Sequence, residues 1–102
     1  MPQFRSVAKP ADINQGGMTA FTVDGATVAI ANVDGTFFAF GDTCTHAHCS
    51  LAEGDLDDII VTCPCHGSQF DVTTGEVRNP PANEPVPVYR VRVEGDAIEV
   101  EV

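Results

Sequence analysis

The sequence predicts an all-β fold, and three observations carry that expectation. Turn signals recur at Asp24-Gly25, Asp34-Gly35, Thr74-Gly75 and Gly95-Asp96, and residues of these types tolerate the positive φ that tight hairpins need. The runs between them are short and rich in β-branched and aromatic residues. Only the stretch PADINQGG, residues 10–17, has the composition of a helical turn.

Taken in order, the strand candidates are AFTV (20–23), ATVAIANV (26–33), TFFAF (36–40), DIIVTC (58–63) and PVYRVRV (87–93). The last hairpin can be registered directly. A two-residue turn at Gly95-Asp96 sets Arg92 opposite Glu99, Arg90 opposite Glu101, Val93 opposite Ile98, Val91 opposite Val100 and Tyr89 opposite Val102. One face is then apolar and the other pairs opposite charges. The apolar pattern stops near Gly41 and resumes near Val86. We therefore expect a single domain over residues 1–102, with a β base at about 1–41 and 83–102 and an inserted subdomain at about 42–82.

Composition narrows the function. A chain of 102 residues buries roughly 60 to 70% of the surface its unfolded form exposes, enough for a core without covalent staples. Fifteen acidic against five basic side chains give a net charge of −10. That balance argues against nucleic acid or an anionic membrane as partner and suits steering toward a basic protein surface. No apolar run follows basic residues at the start, and nowhere do about 18 apolar residues occur in succession, so the expected location is the cytoplasm.

All four cysteines and all three histidines fall in two segments, CTHAHCSL (44–51) and CPCHGSQF (63–70). Cysteines mixed with histidines, without a secretory leader, point to metal more than to a disulfide framework. The close pairs are C-x4-C (Cys44, Cys49) and C-x-C (Cys63, Cys65), and neither is the CxxC knuckle of a structural zinc site.

The spacing Cys44-x-His46, sixteen residues, Cys63-x-x-His66 resembles the two cluster-binding loops of Rieske iron-sulfur proteins. The likeness is close over about residues 42–82, and the scaffold on either side agrees in length and β character. It implies the Rieske fold, an antiparallel β-sandwich-like base carrying the cluster-binding subdomain. It also implies one 2Fe-2S cluster, with Cys44 and Cys63 on one iron and His46 and His66 on the other. Two ferric ions, two sulfides, two thiolates and two neutral imidazoles sum to a charge of about zero, against about −2 for four thiolates. The potential therefore lies in the range of roughly −150 to +300 mV.

The same resemblance assigns the neighbouring residues. Cys49 and Cys65 match positions that form a disulfide in the Rieske proteins of respiratory complexes and that many ring-dioxygenase ferredoxins lack; the other reading is two buried thiols acting as small apolar residues. Gly67 lets backbone N–H groups approach the sulfides. Ser68 matches a serine that donates to a sulfide and raises the potential. Phe70 stands where high-potential members carry a tyrosine, so the expected potential lies above the lowest dioxygenase ferredoxins and below the respiratory proteins. Pro80 and Pro81 resemble the proline segment that covers the cluster. His48 is expected to point to solvent.

No nucleophile with a base, nucleotide-binding glycine loop or separate iron-binding triad is present, so the chain is not expected to be an enzyme in itself. What the resemblance implies is a ferredoxin that carries one electron from a flavin-containing ferredoxin reductase to a terminal oxygenase acting on an aromatic compound. The second reading is a permanent Rieske subunit of a larger oxidoreductase such as an arsenite oxidase. The acidic segment EGDLDD supplies Glu53, Asp55, Asp57 and Asp58 as first candidates for steering charges.

Overall fold

The computed structural model describes residues 3–45 and 48–102, and almost all of its regular structure is antiparallel strand. The strands are β1 (Phe4–Ala8), β2 (Met18–Val23), β3 (Ala26–Val33), β4 (Thr36–Gly41), β5 (Asp55–Asp57), β6 (Ile60–Thr62), β7 (Gln69–Asp71), β8 (Val77–Asn79), β9 (Val88–Tyr89), β10 (Val91–Glu94) and β11 (Ala97–Glu101). They form three sheets, ordered β1-β11-β10, β2-β3-β4-β9 and β5-β6-β7-β8. Short 3-10 turns cover Pro10–Asp12 and Leu51–Glu53. Among the described residues no helix is long and apolar enough to cross a membrane.

The predicted turns close the hairpins. Asp24 and Gly25 both have positive φ between paired Val23 and Ala26, and Asp34 and Gly35 do the same between Val33 and Thr36. This geometry matches the right-handed twist of the strands they join. Around Gly95-Asp96, Val91 faces Val100, Arg92 faces Glu99 and Val93 faces Ile98. Arg92 also bonds to Glu99 and lies 4.2 Å over the ring of Phe4. The register departs from expectation at Tyr89, which pairs with Ala39 of β4 and not with Val102. Arg90 marks the crossing, its carbonyl still accepting the Glu101 N–H at 2.9 Å. Just before it, the Pro87 carbonyl already accepts the Gly41 N–H at 2.8 Å, so the free edge of β4 captures the chain.

Strand β3 explains how the cluster of cysteines and histidines is mounted. Its residues Val28, Ala29, Ile30 and Ala31 are all fully buried, because both faces of its sheet are covered. Val28 and Ile30 join Ile13, Ala39, Ile98 and Val100 in a core shared with the β1-β11-β10 sheet. Ala29 and Ala31 join Phe40 on the other face, in a core shared with Cys44, Leu51, Val61, Cys63, Phe70 and Val72. Large side chains thus alternate with alanines along one strand, and the alanines let the second layer sit close.

That layer is the β5-β6-β7-β8 sheet, whose short strands are held by buried polar anchors as well as by packing. The Asp71 carboxylate, buried on β7, accepts the Thr73 N–H and an Arg78 N–H at 2.8 Å each. Burial pushes this carboxyl up, but the hydrogen bonds from Thr73 and Arg78 and the Arg78 charge outweigh it and hold it below its ordinary value of 3.8. The unfolded chain therefore takes up a proton at a pH where the folded chain does not. The stabilisation is complete above about pH 4 and is lost as pH falls through the lower, folded value. Urea midpoints are expected to drop more steeply below about pH 4 in the native chain than in Asp71→Asn. Equal slopes would show that Asp71 is not the linked group.

Candidate metal centre

The first loop leaves β4 at Asp42, whose buried carboxylate organises the turn beyond it. It accepts the Ser50 hydroxyl at 2.6 Å and the Ala52 N–H at 2.9 Å, while its carbonyl accepts the Leu51 N–H at 2.7 Å. Inside that clamp, the Cys44 N–H donates to the Cys49 carbonyl and the His48 N–H donates to the Cys44 carbonyl, each at 2.9 Å. Cys44 is fully buried and His48 is exposed with φ +59°. His46 lies outside the described residues.

The second loop joins β6 to β7. The Cys63 N–H donates to the Ser68 carbonyl at 2.8 Å and the Gly67 N–H to the Cys63 carbonyl at 3.2 Å, which turns the chain tightly around Cys65 and His66. Gly67 adopts φ +79°, a conformation that glycine enters without a steric penalty. Cys63 is buried, whereas Cys65 and His66 are exposed. A disulfide joins Cys49 to Cys65, with their Cα atoms 6.5 Å apart, and so ties the two loops together.

A third segment closes on both. The Ser68 hydroxyl, fully buried, accepts the Ala82 N–H at 3.0 Å, which leaves its own hydrogen available to donate. The Thr45 hydroxyl donates to the Glu84 carbonyl at 2.7 Å. The Pro80-Pro81 bond is cis, both prolines are exposed, and Ala82 behind them is buried. Phe70 is buried in the same apolar cluster as Cys44 and Cys63. Asp42, Thr45 and Asp71 did not stand out in the sequence. An aspartate two residues before the first cysteine was the available signal, but only burial shows that it is an anchor.

The donor chemistry fits an iron-sulfur cluster with mixed ligation. Two soft thiols, Cys44 and Cys63, sit buried among Leu51, Val61 and Phe70, and an imidazole, His66, sits at the surface of the same turn as Cys63. Thiolates and imidazole are the ligand types that iron takes in such sites.

A family model of the Rieske [2Fe-2S] domain matches residues 3–90. The chain belongs to this family. A Rieske-type 2Fe-2S cluster is accordingly its cofactor. Among curated relatives, this Rieske chain is 49% identical over 79 residues to the biphenyl dioxygenase ferredoxin subunit of Pseudomonas sp. (strain KKS102), spanning 76% of this chain and 72% of the relative. Among solved structures it is similar to the ferredoxin of carbazole 1,9a-dioxygenase from Nocardioides aromaticivorans IC177, with a TM-score of 0.92 and 33% identity, covering 96% of each chain. A chain from a complex of reduced oxygenase and oxidized ferredoxin in carbazole 1,9a-dioxygenase matches with a TM-score of 0.91 and 34% identity, over 96% of this chain and 92% of that one. The antiparallel Rieske fold expected from the sequence is thus the fold observed.

Proposed function

We propose that this Rieske chain is a ferredoxin: an electron carrier, not itself a catalyst, that serves the terminal oxygenase of an aromatic-ring dioxygenase. In this reading Cys44, Cys63, His46 and His66 hold the cluster, and a flavin-containing reductase in the same cytoplasm supplies the electrons. The observation that carries the proposal is the exposure of His66 on the turn whose Cys63 is buried. The cluster, when bound, supplies a one-electron couple in a raised potential range. The apolar residues around Cys44 and Cys63 would keep water from these ligands, and the exposed His66 would be the ligand nearest a partner. Likeness to the ferredoxin of an oxygenase complex supports the same partner class. The Cys49–Cys65 bridge is the feature that would suit a permanent subunit of an arsenite-oxidase type, and the names of the relatives, which are ferredoxin components of dioxygenases, weigh against that reading.

Charge supports transient docking. Between residues 42 and 84 Arg78 is the one Lys or Arg, and it is paired with Asp71. Glu53, Asp55, Asp57 and Asp58 are all exposed in that span. A partner with a basic surface around its own redox centre would be steered to this end of the molecule. Electron transfer from a reductase should therefore slow as salt rises from about 0.01 to 0.15 M, with the screening length falling from roughly 30 to 8 Å. The change belongs in the second-order association rate measured by stopped flow. A flat rate would remove steering, and a stable stoichiometric complex on gel filtration would favour the permanent-subunit reading.

A further inference from the structure

Three of the four cysteine sulfurs share one small volume. The Sγ atoms of Cys49, Cys63 and Cys65 all lie within 4.8 Å of one another, and Cys44 is not part of that group. Two of the three form the bridge, and the third is one of the two buried cysteines assigned to iron. A tetrahedral d10 cation with bonds of about 2.3 Å to sulfur holds its thiolates about 3.8 Å apart. Opening the bridge takes the Cys49 and Cys65 sulfurs from bonding distance out to contact distance, so reduction moves the trio toward that spacing. A cellular dithiol accomplishes this by giving two electrons and two protons to the bridge and becoming a disulfide itself.

Hydrogen bonds other than the bridge also hold the loops. Cys44 and Cys49 are held by a backbone hydrogen bond, and Thr43 pairs with Ser50. Asp42 clamps Ser50 and Ala52, and the Cys63 to Ser68 turn closes on its own backbone bonds. Cys65 is exposed and gives a cation a way in, while Cys63 sits at the apolar floor.

We propose that the reduced, cluster-free chain carries a three-thiolate site of Cys49, Cys63 and Cys65 for a soft d10 divalent cation of the zinc class. Water from the Cys65 side fills the fourth position. Oxidation of Cys49 and Cys65 to the bridge dismantles this site. Resting on the Rieske reading, a second consequence is that the bridge reserves Cys63 for iron by withdrawing its two competing neighbours.

The test uses the full-length chain prepared without iron and reduced with a water-soluble phosphine, which does not compete for the metal. Cadmium titration, followed by ultraviolet thiolate-to-metal absorption, is expected to saturate at one equivalent, with zinc displacing it. The oxidised chain should show no such site. Cys49→Ser and Cys65→Ser should each weaken binding by about tenfold or more, as loss of a ligand costs at least what loss of an outer partner does. In the unsubstituted chain, cadmium should protect Cys49 and Cys65 from alkylation as read by mass spectrometry, a result that needs no variant to fold. Equal binding by the oxidised chain, or unchanged binding in both Cys49→Ser and Cys65→Ser, overturns the proposal. Iron and sulfide analysis of protein made with iron reports on the cluster reading separately.

Discussion

Replacing His66 with cysteine is expected to lower the midpoint potential by on the order of 100 mV or more while the cluster is retained. A thiolate adds about one negative charge where a neutral imidazole stood, and added negative charge disfavours the incoming electron. Exchange of both imidazoles separates the Rieske range, which begins near −150 mV, from plant-type ferredoxins near −400 mV, so one exchange accounts for about half of that gap or more. The exposure of position 66 places the new charge partly in water, which argues for the lower end of the effect. His48→Cys is the control, because His48 is also exposed but is not assigned to iron. Voltammetry decides the matter, with electron paramagnetic resonance following the average g value away from that of a histidine-ligated cluster. An unchanged potential in His66→Cys, with iron still bound, would remove His66 from the ligand set.

Cys65→Ser should lower the apparent melting temperature of the oxidised chain by on the order of 10 °C or more. The bridge spans a sequence separation of 16, for which loop closure is worth about 3 kcal/mol on the chain-entropy model. In a domain of this size each kcal/mol corresponds to roughly 4 to 8 °C. Cys65 is exposed, so serine there leaves no cavity and the effect isolates the bridge. Cys49→Ser is expected to give a similar shift, the double variant no further one, and a reductant should bring the native chain to the same value. Melting of Cys65→Ser together with the oxidised native chain would mean that no bridge forms.

Parts of the fold were legible because their determinants are local. The Asp24-Gly25 and Asp34-Gly35 turns set two hairpins, and the two-residue loop at Gly95-Asp96 fixed Arg92 against Glu99. Strands β1, β5, β7 and β8 were not legible in the sequence. The last three have three residues each, too few for alternation to show, and their sheet holds through Asp71 and through packing beneath Phe40 and Ala31. Tyr89 was misplaced for a related reason: the hairpin pattern runs past Arg90 in the sequence, but the open edge of β4 lies elsewhere in the chain.

The candidate site divides along the same line. By itself the sequence determined the cysteine and histidine motifs and their spacing, the acidic character of the 42–84 span and the hairpin registers up to Arg90, because each is read along one stretch of chain or across one turn. Only the tertiary structure decided that Cys44 and Cys63 are buried while Cys65 and His66 face solvent, and that Asp42 and Asp71 are anchors. It alone brought the Ala82 N–H onto the Ser68 hydroxyl and Thr45 onto the Glu84 carbonyl. Burial and such distant pairings arise when separate segments close on a shared core, here the alanine face of β3, and no local spacing encodes which atoms that closure sets side by side.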